Sequence, residues 1–265
     1  GGAGGDRLKA NRWKANDLDR GSLKAKGPSV ERLSFEAGIK PLLRVERVAH
    51  DRWVERFGAD MAKGWVAAPS LNRYDAVDNV RTRNAQGEFV DVFVGLNAAD
   101  VDAAVLADER EKEGNAPDAT RTLGRLLGYP DCCVAAFLTD STPGDNDAWP
   151  EKVAARSGTG PWPWLLNPLP VGETLTPFMP CSFDCTHAAA YADAAFTALL
   201  RHDRARAGVS RAAQTGHFLY WGGGRFRRVD EPAALQSGAV GAGEEDRNGS
   251  ATWFDFTGTP PDTGA

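Results

Sequence analysis

The spacing of the cysteines constrains this chain more than any other feature. Cys132 and Cys133 are adjacent, and Cys181 and Cys185 form a Cys-x-x-x-Cys pair after an intervening segment, residues 134–180. These are the 4 cysteines of a 265-residue sequence, so every cysteine belongs to one of two clusters. Four cysteines are too few for a disulfide scaffold in a chain of this length. The pattern therefore predicts metal ligation or thiol chemistry.

Each cysteine pair is predicted to lie at the start of a helix. Pro130, a residue favoured in the first turn, precedes a predicted helix over 131–139. Ser182 is the predicted N-cap of a long helix over 183–207, which places Cys185 three residues inside it. Free backbone N–H groups and the helix dipole favour thiolate over thiol at both positions. Brought together, the two helix starts would offer up to four thiolates to one metal centre.

The donor set suits either a four-iron cluster or tetrahedral zinc. Cys-x-x-x-Cys is compatible with a zinc knuckle, whereas adjacent side chains are expected to diverge around a single ion and to reach separate irons more easily. We therefore predict a [4Fe-4S] cluster bound by Cys132, Cys133, Cys181 and Cys185, or by three of them. Zinc, dithiol redox chemistry between Cys181 and Cys185, and simple packing of buried thiols are the alternatives.

Polar residues near the cysteines provide candidate catalytic groups. We predict an iron–sulfur-dependent lyase or transferase that uses the iron–sulfur cluster as a Lewis acid or as a sulfur carrier on a small polar substrate. The alternative is a non-catalytic binding module that is stabilised by zinc or by an iron–sulfur cluster. The residues assigned to protons and substrate anions are Asp131, Asp184, His187, His217 and Arg225. Each also has a plainer interpretation: helix caps for the aspartates, and hairpin positions for His217 and Arg225. His187 would point about 200° away from Cys185 on one continuous helix.

Two segments resemble a known domain family. Leu126-Leu127-Gly128-Tyr129-Pro130-Asp131-Cys132-Cys133-Val134-Ala135-Ala136-Phe137 is followed by Asn167-Pro168-Leu169-Pro170 and by Pro180-Cys181-Ser182-Phe183-Asp184-Cys185. This order resembles an uncharacterised prokaryotic family with Leu-Gly-Tyr-Pro-x-Cys-Cys and Pro-Cys-Ser-x-x-Cys motifs, over residues 89–200. The resemblance implies a shared cysteine site and does not indicate a reaction.

Hydrophobic patterning predicts an α+β fold. A small antiparallel sheet that includes 88–95 and the hairpin 217–229 is expected to pack against helices near 97–113, 118–127, 131–139 and 183–207. Residues 78–83 and 88–95 are expected to form a hairpin, and 140–180 a long Trp/Pro-rich loop. We predict a polar tail over 1–30, one domain over 31–230 with its motif region at 88–207, and a Gly-rich acidic extension over 231–265.

Charge and hydropathy limit the partners. The net charge of −5 and a pI near 5.5 provide no basic field for nucleic acid. No apolar run approaches the roughly 18 residues of a membrane span, and the N-terminus lacks a signal-peptide pattern. The composition, rich in Gly, Ala, Arg and Asp, is typical of a bacterial protein. We expect a cytoplasmic biosynthetic protein with a small-molecule substrate; the sequence leaves the oligomeric state open.

Overall fold

A computed structural model describes residues 27–77, 80–114, 116–140, 149–169, 173–222, 226–229 and 251–260. The helices are α1 (Val30–Glu36), α2 (Trp53–Met61), α3 (Ala98–Glu113), α4 (Pro117–Leu126), α5 (Asp131–Asp140), α6 (Trp149–Arg156), α7 (Thr186–His202) and α8 (Arg204–Gln214). The strands are β1 (Leu42–Ala49), β2 (Val66–Pro69), β3 (Tyr74–Val77), β4 (Val80–Arg83), β5 (Phe89–Gly95), β6 (Gly216–Tyr220), β7 (Phe226–Val229) and β8 (Thr252–Phe256). The predicted α+β class, with antiparallel strands packed on helices, is confirmed.

The larger sheet is built around β5, which pairs antiparallel with β1, β2 and β3. The predicted hairpin between 78–83 and 88–95 is wrong, because β4 pairs with β3 instead. The side chains explain the difference. Strand β5 is apolar and buried along most of its length, whereas β4 reads Val-Arg-Thr-Arg and forms the outer edge. An apolar strand buries more surface between inner partners than beside a charged edge strand.

Both faces of β5 are covered by helices. Val90, Val92 and Val94 pack into a cluster that includes residues of α1 and α2. Phe93 points to the opposite face and joins a cluster with residues of α3 and α4. This second packing fixes α4, and α4 leads through a short turn into α5 and the first cysteine pair.

An ion pair joins the first two helices. The Arg32 guanidinium donates to both carboxylate oxygens of Asp60, at 2.9 and 2.6 Å, and Asp60 is buried. Hydrogen bonding to Arg32, opposed by a smaller effect of burial, holds the pKa of Asp60 below its ordinary value. Because the folded pKa is lowered, the pair stabilises the fold above the unfolded value of 3.8, and this contribution is lost as the pH falls through the lower folded pKa.

We therefore expect Asp60→Asn to lower the free energy of unfolding by about 1.5 kcal/mol at pH 7. The deficit relative to the native chain should shrink at pH 3 and below, where Asp60 also becomes protonated in the native chain. Urea unfolding at the two pH values measures both effects. Glu55→Gln is the matched control, because its partner Arg52 and Glu55 itself are exposed. Equal losses for the two variants at pH 7 would contradict the assignment.

The second sheet has the order β7-β6-β8. The prediction that residues 88–95 and 217–229 share one sheet is wrong. Strand β6 pairs with β7 on one side and with β8 on the other, so neither of its edges pairs with β5. The predicted hairpin is confirmed by the pairing of His217 with Val229. Strand β8 comes from within the segment 231–265, and it contributes Phe254 and Phe256 to an aromatic cluster with Trp162 and Phe183.

Two other segments differ from expectation. The predicted loop 140–180 contains α6 and a short 3-10 helix, Trp164–Leu166. The predicted helix 183–207 is two helices that meet at Asp203, which has an extended backbone and accepts a hydrogen bond from the backbone N–H of Arg206 at 2.9 Å. An aspartate is a strong N-cap, so it favours starting a new helix over continuing the old one. In the part of the chain that the structure describes, no helix is both long and apolar enough to cross a membrane.

Candidate metal centre

The four cysteine sulfurs form one compact cluster. The Sγ atoms of Cys132, Cys133, Cys181 and Cys185 all lie within 4.8 Å of one another. Cys132 and Cys133 are 3.9 Å apart, and Cys185 lies 3.7 Å from Cys132 and 3.9 Å from Cys133. All four are free of disulfide bonds. Cys133 and Cys185 are buried, whereas Cys132 and Cys181 are half-buried, so the four thiols can hold a metal ion near the surface.

The start of α5 positions the first pair. The carbonyl of Pro130 accepts hydrogen bonds from the backbone N–H groups of Cys133, at 2.9 Å, and Val134, at 3.0 Å. The expectation that adjacent cysteines diverge is wrong here, because the helix has only just begun at Cys132 and both side chains can turn towards its N-terminal end. The Tyr129 N–H donates to the Gly124 carbonyl at 2.9 Å, which attaches the start of α5 to the end of α4.

The C-terminal end of α6 and the two residues that follow it position the second pair. Ser157 Oγ accepts a hydrogen bond from the Phe183 N–H at 2.7 Å, and the Gly158 N–H donates to Asp184 Oδ2 at 2.9 Å. Arg156 Nε donates to the carbonyl of Cys181 at 2.6 Å. Sequence reasoning missed these supporting residues, because a contact between α6 and residues 181–184 has no local signal in the sequence.

We expect Ser157→Ala to loosen the cysteine loop. The substitution leaves the buried Phe183 N–H without its acceptor, which should cost about 1–2 kcal/mol of stability. Groups that orient metal ligands commonly contribute about tenfold to affinity, so metal binding should weaken by about that factor. Competition with a coloured zinc chelator measures the change. Thr159→Ala, at an exposed position two residues away, should have no effect, and equal affinity in both variants would contradict the supporting role of Ser157.

The second helix start differs from the prediction. Cys185, not Ser182, is the N-cap of α7, and its Sγ accepts a hydrogen bond from the Ala188 N–H at 3.4 Å. Cys133 Sγ likewise accepts from the Cys181 N–H at 3.4 Å. Such N–H···S contacts favour the thiolate form, which is the form that binds metals. The predicted association of each pair with a helix start is confirmed, with the boundary shifted.

The electrostatics of the thiols are unequal. Burial is the largest influence on all three affected cysteines. Burial and the charges of the neighbouring thiols raise the pKa of Cys133. Burial, with a smaller effect of the neighbouring thiols, raises the pKa of Cys181 to about 11. At Cys185, the effect of burial is outweighed by the Ala188 N–H and by the adjacent thiols, and the pKa is lowered. Of these three thiols, Cys185 is therefore the one whose surroundings favour loss of its proton.

His187 is the predicted catalytic residue that the structure brings to the cysteines. Its Nδ1 atom lies 3.7 Å from Cys132 Sγ, and its side chain is exposed. The predicted orientation away from the cluster is wrong because α7 begins later than expected, at Thr186. Asp131 is also exposed, in the first turn of α5. Asp131 directly precedes Cys132 in the chain, whereas His187 contacts it in space.

The other three candidates have different surroundings. Asp184 stabilises the loop: hydrogen bonds from the Ser182 side chain and the Gly158 N–H lower its pKa. His217 stacks on Trp253 and lies 3.6 Å from Asp255 in the second sheet. Within the described residues, none of its hydrogen bonds or ion pairs reaches a cysteine. Arg225 lies outside the described residues.

Comparisons of the chain with protein-family models, with curated proteins and with solved structures gave no match. The resemblance of its two cysteine motifs to a prokaryotic domain family therefore stays a prediction. A metal centre is supported by the geometry of the four thiols.

Proposed function

We propose that the four cysteines bind one zinc ion and that the protein is a zinc-stabilised binding module. The observation that carries this proposal is the spacing of the sulfurs. Zinc–thiolate bonds of about 2.3 Å in a tetrahedron require sulfurs about 3.8 Å apart. The three pairs among Cys132, Cys133 and Cys185 are separated by 3.7, 3.9 and 3.9 Å. The three pairs that involve Cys181 also lie within 4.8 Å, so all four sulfurs are close enough to share one ion.

A four-iron cluster has a different requirement. Each thiolate binds a separate iron, so the sulfurs surround a body of eight atoms and must stand farther apart than the ligands of one ion. The cysteines would have to spread on all sides to admit it. The hydrogen bonds that attach residues 181–184 to α6 oppose that movement. The donor set fits zinc with less rearrangement.

A four-thiolate site supports a structural role. Four protein ligands leave no open position for substrate, and this is typical of zinc that stabilises a fold. The centre joins the start of α5 to the segment 181–185, which are far apart in sequence. With α6 bound to the same segment, the ion fixes the relative positions of three helices. Metal binding then contributes directly to folding.

The second candidate function is the iron–sulfur enzyme predicted from the sequence. It is favoured by the solvent exposure of one side of the four cysteines. Cys132 and Cys181 are half-buried, the exposed His187 lies 3.7 Å from Cys132 Sγ through Nδ1, and the exposed Asp131 precedes Cys132 in the chain. A cluster bound there by three cysteines would be open to a small polar substrate, with His187 available to move a proton. The resemblance of the cysteine motifs to a prokaryotic family is compatible with either candidate.

Cobalt substitution tests the donor set. Cobalt(II) takes the tetrahedral position of zinc, and each thiolate adds to its sulfur-to-metal absorption in the near ultraviolet. We expect a one-to-one cobalt complex with an intensity matching four thiolates, which drops by about a quarter in each single Cys→Ala variant that still binds cobalt. Octahedral cobalt bands, or an intensity that Cys132→Ala leaves unchanged, would contradict the four-thiolate site.

A further inference from the structure

A cleft lies beside the cysteine cluster. It occupies about 730 Å³ between β1, the helices α3 to α6 and the segment 174–179, and Cys133 is among its lining residues. This volume is within the range of about 300–1,000 Å³ that holds small organic ligands. The proposed zinc site has no open position for such a molecule, so the cleft requires its own explanation.

The walls of the cleft are mostly apolar. Leu123 and Leu127 line it from the α4 side, and Val134 and Phe137 line it from α5. Phe178 covers another side and packs against Tyr129, with 5.1 Å between the ring centroids. Phe137 is 39% exposed although it is a large apolar side chain. Aromatic and aliphatic walls of this kind favour a ligand with a flat apolar body.

Two hydrogen-bond donors reach the same cleft. Arg44 binds Glu46 through Nη2 and lies 3.8 Å from Asp91 through Nε, so within the described residues its Nη1 has no hydrogen-bond partner. The Tyr129 hydroxyl also has none in the described part of the chain, and the two groups interact electrostatically. Burial raises the pKa of Tyr129, which keeps its hydroxyl protonated and able to donate.

The cleft is lined by charges of both signs, and two of its cations are paired with carboxylates outside the lining: Arg44 with Glu46 and Asp91, and Lys112 with Asp108. Lys112 and Lys152 line it with Arg44, against the carboxylates of Glu111 and Asp140. Glu111 Oε1 accepts a hydrogen bond from Thr120 at 2.9 Å. Selectivity for a ligand therefore depends on the two donors that have no partner among the described residues, Arg44 Nη1 and the Tyr129 hydroxyl, rather than on a surplus of positive charge.

We propose that this cleft binds a small carboxylic acid with an aromatic or similarly flat apolar body. The carboxylate accepts hydrogen bonds from Arg44 Nη1 and the Tyr129 hydroxyl, and the apolar body lies against Phe137 and Phe178. Guanidinium and carboxylate groups match in geometry and form strong charge-assisted hydrogen bonds. This ligand site is additional to the metal site and does not depend on which metal the cysteines bind.

Calorimetric titration with 1-naphthylacetate tests the proposal on the full chain with its metal bound. We expect saturable one-to-one binding, about tenfold tighter than that of the neutral 1-naphthylacetamide, because only the acid makes charge-assisted hydrogen bonds. Tyr129→Phe should lower the affinity for 1-naphthylacetate about fivefold and the affinity for 1-naphthylacetamide by less. Phe137→Ala should weaken both probes about fivefold through lost apolar contact.

Leu200→Ala is the matched control, because Leu200 is also 39% exposed and lies on α7 outside the cleft. It should bind both probes like the native chain. Metal content and circular dichroism, recorded for each variant, separate a lost ligand site from a lost metal or a lost fold. If Tyr129→Phe does not fold, Phe137→Ala and the acid–amide comparison decide. Absence of saturable binding, equal affinity for acid and amide, or native affinity in Phe137→Ala would overturn the proposal.

Discussion

Cys133→Ala is expected to abolish metal binding and to lower the free energy of unfolding by about 3 kcal/mol or more. The loss is this large because the free energy of binding a structural zinc ion contributes directly to folding. Cys133 is 1% exposed, its Sγ lies 3.9 Å from two other sulfurs, and it accepts the Cys181 N–H. Its loss leaves three thiolates close together with no ion between them. Metal analysis and urea unfolding measure the two effects.

A chelator distinguishes metal binding from simple packing of the Cys133 side chain. If the metal provides the stability, a chelator should lower the native chain to the level of Cys133→Ala and leave the variant unchanged. Asp131→Ala is the control: it changes an exposed neighbour of Cys132 and should retain metal and stability. The metal assignment would be contradicted if Cys133→Ala lowered the free energy of unfolding by only about 1 kcal/mol and a chelator did not change this difference. Cys133 would then be only a small apolar core residue.

Gly124→Ala is expected to lower the free energy of unfolding by about 3 kcal/mol, the upper end of the cost of overpacking. A Cβ atom at Gly124 would lie 2.6 Å from Cγ2 of Val134, which is too close for any real contact. Val134 is β-branched and has little freedom to turn away. Helix α5 would have to move from α4, and with it Cys132 and Cys133. We therefore also expect weaker zinc affinity, measured by chelator competition.

The control is the same substitution on another helix. Gly208 lies in α8, and a Cβ atom there would meet nothing within 4 Å. Gly208→Ala should raise stability by about 0.5–1 kcal/mol, because alanine is the better helix former. Opposite signs for the two variants would show that close packing of α4 on α5 causes the loss. A stabilised or neutral Gly124→Ala would contradict that packing.

The clustering of the cysteines was predictable because the site uses every cysteine of the chain. The two motifs each placed a pair near a helix start, and local signals such as Pro130 indicated where α5 begins. The exact start of α7 was not predictable, because Ser182 and Cys185 both can cap a helix. Because α7 begins three residues later than predicted, His187 lies next to Cys132 rather than on the opposite side of the helix from the cysteines.

The tertiary arrangement was only partly predictable. Strand β5 and the β6–β7 hairpin had clear apolar patterns and turn residues, so both were identified. Their assignment to separate sheets depends on β3 and β8, short strands whose pairing is decided by distant partners. The support of residues 181–184 by Arg156 and Ser157 is likewise a long-range contact, which no local pattern indicates.

The composition of the purified protein tests the metal centre most directly. Protein prepared without oxygen would be analysed for zinc, iron and acid-labile sulfide, and its absorption spectrum recorded. We predict a colourless protein with about one zinc per chain and no labile sulfide. A brown protein with about four irons and four sulfides per chain would contradict the single-ion site and support the iron–sulfur enzyme instead.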